Sequence, residues 1–212
     1  QFIFPDESVI RLTTARYYTP TGRLIQKSYS NGYSDYSKEV ARRFKNGELL
    51  NKDSVHLPDT LKFYTLTKKR TVFGGGGIMP DIFVPIDTTD YSDYYRKLLS
   101  NNILSGFIIQ FIDQNRNTLM DKYTDFKIFK NKFEADEALL KEIATYAQEK
   151  SVAFDSTGFN QCRNLMSCYV KATIARNLWG LNEFVEVINS INPSFNKAVE
   201  AIDNWDKYCP SN

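Results

Sequence analysis

The hydrophobic pattern of this chain changes period near residue 90, and that change decides what it can fold into. Before it, apolar residues gather in short β-branched and aromatic runs separated by turn residues; after it they recur about every 3.6 residues, the spacing of one helix face. The pattern predicts an α+β protein with its strands first. Residues 1–90 are expected to form β-strands and loops, and residues 91–212 an all-helical C-terminal domain.

Within the first part, Ser8 to Tyr18 is rich in strand formers, Thr19-Pro20-Thr21-Gly22 has turn chemistry, and Leu24-Ile25-Gln26 resumes an extended pattern. A hairpin is predicted there. Residues 27–69 turn polar and irregular, with Ser28 to Gly32 as loop and Ser37 to Phe44 as one short helix, an excursion from the sheet. Arg70 to Phe73 and Asp81 to Pro85 are expected to be two strands joined by the glycine-rich turn Gly74 to Pro80.

In the second part, Ile103, Phe107, Ile108, Phe111 and Ile112 share one helical face. Phe126, Phe129 and Phe133 do the same behind a Thr124 cap, and Leu139, Leu140, Ile143, Tyr146 and Ala147 form a third stripe. A longer helix is expected from Thr157 to Trp179, with Leu165, Met166, Tyr169, Val170, Thr173, Ile174 and Leu178 turned inward and Gly180 as its stop. Asn192-Pro193 opens the last helix as cap and first-turn proline.

Several function classes are excluded by what the chain lacks. Lys and Arg number 27 against 25 Asp and Glu, a net charge of +2. That is far from the basic excess with which nucleic-acid binders displace counterions, so nucleic acid is not an expected partner. No apolar run approaches the roughly 20 residues that cross a bilayer. The 42% hydrophobic and 14% aromatic content is ample for packed cores.

The cysteines are Cys162, Cys168 and Cys209, an odd count with no C-x-x-C pair, which argues against a zinc site and a redox motif. On one helix Cys162 and Cys168 stand about 9 Å apart along the axis, beyond disulfide reach. Two core thiols are expected. Gly74 to Gly77 is followed by Ile78-Met79-Pro80 rather than Gly-Lys-Ser/Thr and a helix start, so a phosphate loop fails on context and the glycines read as backbone that must pass close to a neighbour. His56 is the sole histidine and sits among polar loop residues without a nucleophile signature, so it reads as a solvated side chain. Lys68-Lys69-Arg70 reads as a solvated cluster, and no carboxylates stand in an E-x-x-H or D-x-D-x-D-G pattern. No catalytic, cofactor-binding or metal-ligating residue is therefore assigned to this chain, and no cofactor is expected.

Two motifs do not explain themselves by amphipathicity. Leu12 to Gln26, containing Arg16-Tyr17-Tyr18-Thr19-Pro20-Thr21-Gly22-Arg23, and Gly75-Gly76-Gly77-Ile78-Met79-Pro80-Asp81 resemble, in that order, the closing part of the catalytic domain of carboxyl-terminal processing peptidases, the tail-specific serine proteases. Leu178-Trp179-Gly180-Leu181-Asn182-Glu183-Phe184, after Lys171 to Arg176, resembles the C-terminal region of the family's bacterial periplasmic members. The excursion over residues 27–69 is the part least typical of that family.

The resemblance implies a serine nucleophile with a lysine general base, the lysine in a Gly-Lys-Gly type segment, a supporting glutamine just before the position of Gln1, and a peptide-recognising PDZ module. In the family pattern all of these precede the residues present here. The opening Gln1 to Asp6 has neither initiator methionine nor signal peptide and runs straight into a strand pattern. The chain is therefore expected to be the C-terminal fragment of a periplasmic or cell-envelope hydrolase that cleaves proteins near their C-termini by Ser/Lys acyl transfer, the fragment itself being inactive. Its implied partners are the protein or peptide substrates of the parent enzyme, and the edge of its first strand offers a surface for self-association. The alternative is a non-enzymatic helical interaction or assembly module carrying a β-appendage.

Overall fold

A computed structural model describes residues 1–208, and Cys209 lies outside the described residues. The fold is mixed α+β, mostly helical, with two small antiparallel two-stranded sheets. It divides into two compact units, Gln1–Ile86 and Asp87–Asn212.

In the first unit, β1 (Phe2–Ile3) pairs with β2 (Val9–Ile10) around a turn closed by Phe4 N–H to Ser8 O at 2.9 Å and Glu7 N–H to Phe4 O at 3.0 Å. The long strand expected over residues 8–18 is not formed. Arg11 to Tyr17 runs exposed without ladder partners, and pairing resumes only at the bridge Tyr18 to Leu24. That bridge closes the expected hairpin turn, with Gly22 N–H on Thr19 O at 2.8 Å and Thr19 N–H on Arg23 O at 2.9 Å. The polar excursion holds two short helices, α1 (Gly32–Ser37) and α2 (Glu39–Lys45), where one was expected.

The second sheet also departs from expectation. β4 (Thr71–Phe73) pairs with β3 (Lys62–Tyr64), not with residues 81–85, which form no strand. The reason lies in the turn: Thr65 N–H reaches Arg70 O at 3.0 Å and Arg70 N–H reaches Thr65 Oγ1 at 2.9 Å, a local closure that the glycine run does not have to supply. Pro80 and Pro85 bracket the other candidate and remove donors a ladder needs. Across residues 1–86 the only buried residue is Gly74, so the unit has no hydrophobic core of its own.

The second unit is the opposite case. Its helices are α3 (Asp93–Ser100), α4 (Ile103–Lys122), α5 (Phe126–Lys132), α6 (Glu137–Glu149), α7 (Ser156–Leu178), α8 (Leu181–Ile188), α9 (Pro193–Asp203) and α10 (Trp205–Tyr208). Serine, aspartate and asparagine caps set most starts: Ser92, Asp125, Asp136, Asp155 and Asn192 each accept backbone N–H bonds from the first turn that follows. The cap of α5 is thus Asp125 rather than the expected Thr124, because Asp125 is the residue in extended conformation with its carboxylate 2.9 Å from Ile128 N.

One continuous core joins α3 to α8. Leu98, Leu104, Ile108, Phe129, Ile143, Cys162, Met166 and Ile174 are all fully buried in it. Tyr123, Phe129, Phe133 and Trp179 form an aromatic cluster, with Phe129 stacked on Phe133 at 4.6 Å between ring centres. Helices α3 and α8 were not anticipated. The first buries Tyr94 and Tyr95 beside Leu98, and burial pushes the Tyr94 hydroxyl up to about 12. No helix among the described residues is long and apolar enough to cross a membrane.

Candidate functional site

The two sequence motifs meet in the first unit. Gly75 N–H donates to Leu24 O and Gly77 N–H to Ile25 O, both at 2.8 Å, while the Arg23 guanidinium donates to Phe73 O at 3.1 Å. The glycines are used as close-approach backbone. A Cβ on Gly74 would stand 3.0 Å from Arg23 Cγ and 3.1 Å from Leu24 O, and one on Gly75, at φ +81°, would stand 2.9 Å from Leu61 Cδ1. Arg23 Nε is buried at this junction without an acceptor among the described residues.

A cleft of about 430 Å³ runs along the glycine segment, and His56, Arg42, Arg43, Glu39 and Glu48 contribute its polar wall. Its cations are spoken for. Arg42 pairs with Asp35 and Glu39, Lys27 pairs with the same two carboxylates, and Arg43 pairs with Glu48 at 3.0 Å. The hydrogen bond from Lys27, working against burial, holds the Glu39 carboxyl below its ordinary range. The cleft lining contains no serine, threonine or cysteine, so His56 has no nucleophile to activate there.

The second unit contains a cleft of about 570 Å³ between the segment preceding α6, one face of α7 and the end of α8. Sequence reasoning did not single it out. Lys171 and Cys168 stand one helical turn apart on its α7 wall, with Ser167 beside them and Ser190 opposite. Lys171 Nζ donates to Lys130 O at 2.7 Å, and burial pushes its amine below the ordinary lysine range. Burial pushes the Cys168 thiol up, and the thiol lies 3.7 Å from Val187 O.

Both hydroxyls of this cleft give their protons to carbonyls, Ser167 to Ala135 at 3.1 Å and Ser190 to Val187 at 2.7 Å. Neither they nor the thiol hydrogen-bond to Lys171, so no nucleophile is aligned with a base. Arg163 is paired with Glu137, and Lys130 with Glu186 at 2.7 Å. The arrangement satisfies polar groups at a helix seam and does not assemble acyl-transfer chemistry.

Of the expected core thiols, Cys162 is fully buried and Cys168 half-buried, and both are free. Among the described residues no cluster of three His, Cys, Asp or Glu side chains could hold a metal ion.

Comparison with known proteins adds one match. A family of unknown function (DUF8443) matches residues 94–180, from the first turn of α3 to Gly180 after α7, which holds most of the core of the helical unit. No curated protein and no solved structure matches the chain.

Proposed function

We propose that this chain is the C-terminal part of a carboxyl-terminal processing serine peptidase, its first unit completing the sheet of the catalytic domain and its helical unit following. The observation that carries the reading is the junction of Leu24 and Ile25 with Gly75 and Gly77. The two stretches of resemblance, far apart in sequence, are hydrogen-bonded side by side. They do so in a unit whose apolar residues Phe2, Ile3, Val9, Ile10 and Leu12 remain exposed, as strands belonging to a larger sheet would be.

On this reading the serine and lysine lie upstream of these residues. The serine hydroxyl attacks a peptide carbonyl as the lysine amine takes its proton, and water releases the acyl group. Residues of this chain shape the floor of that sheet, and none of them is catalytic. The parent acts on proteins with accessible C-termini in the periplasm or cell envelope, without a cofactor.

The test is expression of the whole open reading frame and assay against a protein with an unstructured C-terminal tail. Cleavage that is lost when an upstream serine becomes alanine is the expected result, with the 212-residue chain alone inert. An open reading frame without Ser and Gly-Lys-Gly segments overturns the proposal. So does turnover by the isolated chain that depends on one of its own serines.

A further inference from the structure

Helix α9 is amphipathic with its apolar face turned to solvent. Phe195, Ala198, Val199 and Ile202 recur at i, i+3, i+4 and i+7, one stripe at about 100° per residue. All four are exposed, Ile202 by 68%. Lys197 and Glu200 occupy the opposite face, where they pair at 2.8 Å and Tyr208 donates to Glu200 at 2.6 Å, and Asp203 flanks the stripe. The principal neighbours of α9 are the short turn before it and α10 after it, and Ala201 is its only buried residue. At its N-terminal end the stripe runs into a groove of about 530 Å³, where Phe195 faces Leu181 and Val185 of α8.

We propose that this surface binds a second copy of the chain, with the two α9 helices packed antiparallel about a two-fold axis near Ala198 and Val199. A two-fold interface must be complementary to itself, and this stripe is. Its order is large, small, medium, large, so antiparallel pairing sets Phe195 of one copy beside Ile202 of the other and lets the backbones approach at Ala198. The stripe is uncharged, and the nearby Lys130 and Glu186 neutralise each other within one copy, so copies meet without like-charge repulsion. Taken together, the exposed parts of Leu181, Val185, Phe195, Val199 and Ile202 amount to on the order of 500 Å² a copy. Covered completely in both copies, these residues would bury ~1,000 Å², the lower limit for a specific interface, so the polar rim has to contribute as well. This inference does not depend on the peptidase reading.

The test is sedimentation velocity of the full 212-residue chain from ~1 to ~100 μM. A concentration-dependent dimer is expected. Val199→Glu sets two carboxylates against each other at the axis and should weaken it by ~100-fold or more, with helix content and tryptophan fluorescence unchanged. Ile10→Glu, on the β1–β2 hairpin, should leave it intact. Ala198→Cys, in a chain whose Cys168 and Cys209 are serine, should form a covalent dimer under mild oxidation.

A strict monomer at ~100 μM overturns the proposal. So does a dimer that survives Val199→Glu but dissolves with Ile10→Glu, which would place the contact on the strand edge. A dimer that Ala198→Cys fails to cross-link overturns the two-fold geometry. Monomeric chain that co-sediments with phosphatidylglycerol vesicles and loses this with Ile202→Glu overturns the choice of occupant.

Discussion

Phe129→Ala is expected to cost the helical unit more than any other single aromatic truncation, and the structure sets the size. Helix α5 has only seven residues, too few to persist on backbone hydrogen bonds alone. Phe129 anchors it. The ring is fully buried, stacked on Phe133 at 4.6 Å, edge-on to Tyr123 at 5.3 Å and tilted against Trp179 at 5.0 Å.

Its neighbours come from the end of α4, the end of α5 and the end of α7, so the walls of the resulting cavity are fixed from three directions and collapse poorly. The loss should therefore be ~3–5 kcal/mol. With a urea dependence of ~2 kcal/mol per molar, the unfolding midpoint falls by about 2 M. Tryptophan fluorescence is the right assay, because Trp179 and Trp205 both belong to the second unit and the signal is silent on the first. Phe126→Ala is the control: Phe126 is only half-buried on the same helix and should cost about 1–2 kcal/mol. If the midpoint of Phe129→Ala drops no further than that of Phe126→Ala, the aromatic cluster is not what holds α5 in place.

Three further outcomes follow from the geometry. Gly75→Ala, forced into φ +81° and against Leu61, should raise amide exchange at Gly77 by ~10-fold or more, whereas Gly76→Ala, with nothing within 4 Å of its Cβ, should leave it unchanged; equal effects would mean the close approach is not what the glycines provide. Glu39 has a folded pKa below its ordinary 4.5, so the stability it lends the α1–α2 cluster is fully present above pH 4.5 and lost as pH falls from there through the folded value; Glu39→Gln should flatten that acid limb in a carboxyl-resolved NMR titration, and an unchanged limb would sink the assignment. In a Cys209→Ser chain, maleimide should label Cys168 slowly and Cys162 only after unfolding, since burial pushes both thiols up; mass spectrometry showing equal labelling of the native protein would contradict it.

Helices were legible in this sequence wherever one apolar stripe carried the burial. Ile103, Ile108 and Ile112 of α4, Leu139, Leu140, Ile143 and Ala147 of α6 and Met166, Val170 and Ile174 of α7 are in the core, Phe107, Phe111, Tyr146, Leu165, Tyr169, Thr173 and Leu178 are half-buried, and Asn192-Pro193 opens α9 as its residue types dictate. Helix α3 escaped notice because its buried face is built from Tyr94 and Tyr95, residues as much at home on a surface. Helix α8 is hidden because Gly180 ends one helix and begins the next, and a glycine there signals only the stop. Strand pairing was not legible. The partner of Thr71–Phe73 lay in a polar stretch, and the glycine amides were committed to Leu24 and Ile25, a tertiary contact that no local turn signal encodes. The cleft at Lys171 was hidden for the same reason: Cys168 and Lys171 share a helix face, but Lys130 and Ser190 reach it only through packing.

The two units solve the problem of order in opposite ways, and the contrast bears on what each is for. In the helical unit, order follows from burial: caps begin the helices, apolar stripes close on one another, and the family match spans α3 to α7, which supply most of that core. In residues 1–86 nothing comparable exists. Register there rests on a few backbone hydrogen bonds at the glycine junction and on exposed ion pairs, which in water contribute little each. The catalytic-domain role proposed above therefore leans on the junction, where backbone register is specific although no core enforces it, rather than on either cleft. The same logic separates α9 from the bundle it follows. Its stripe is as regular as those of α4 and α6, yet Phe195, Val199 and Ile202 keep 45%, 42% and 68% of their surface exposed, so much of a face patterned for burial is left for a second molecule.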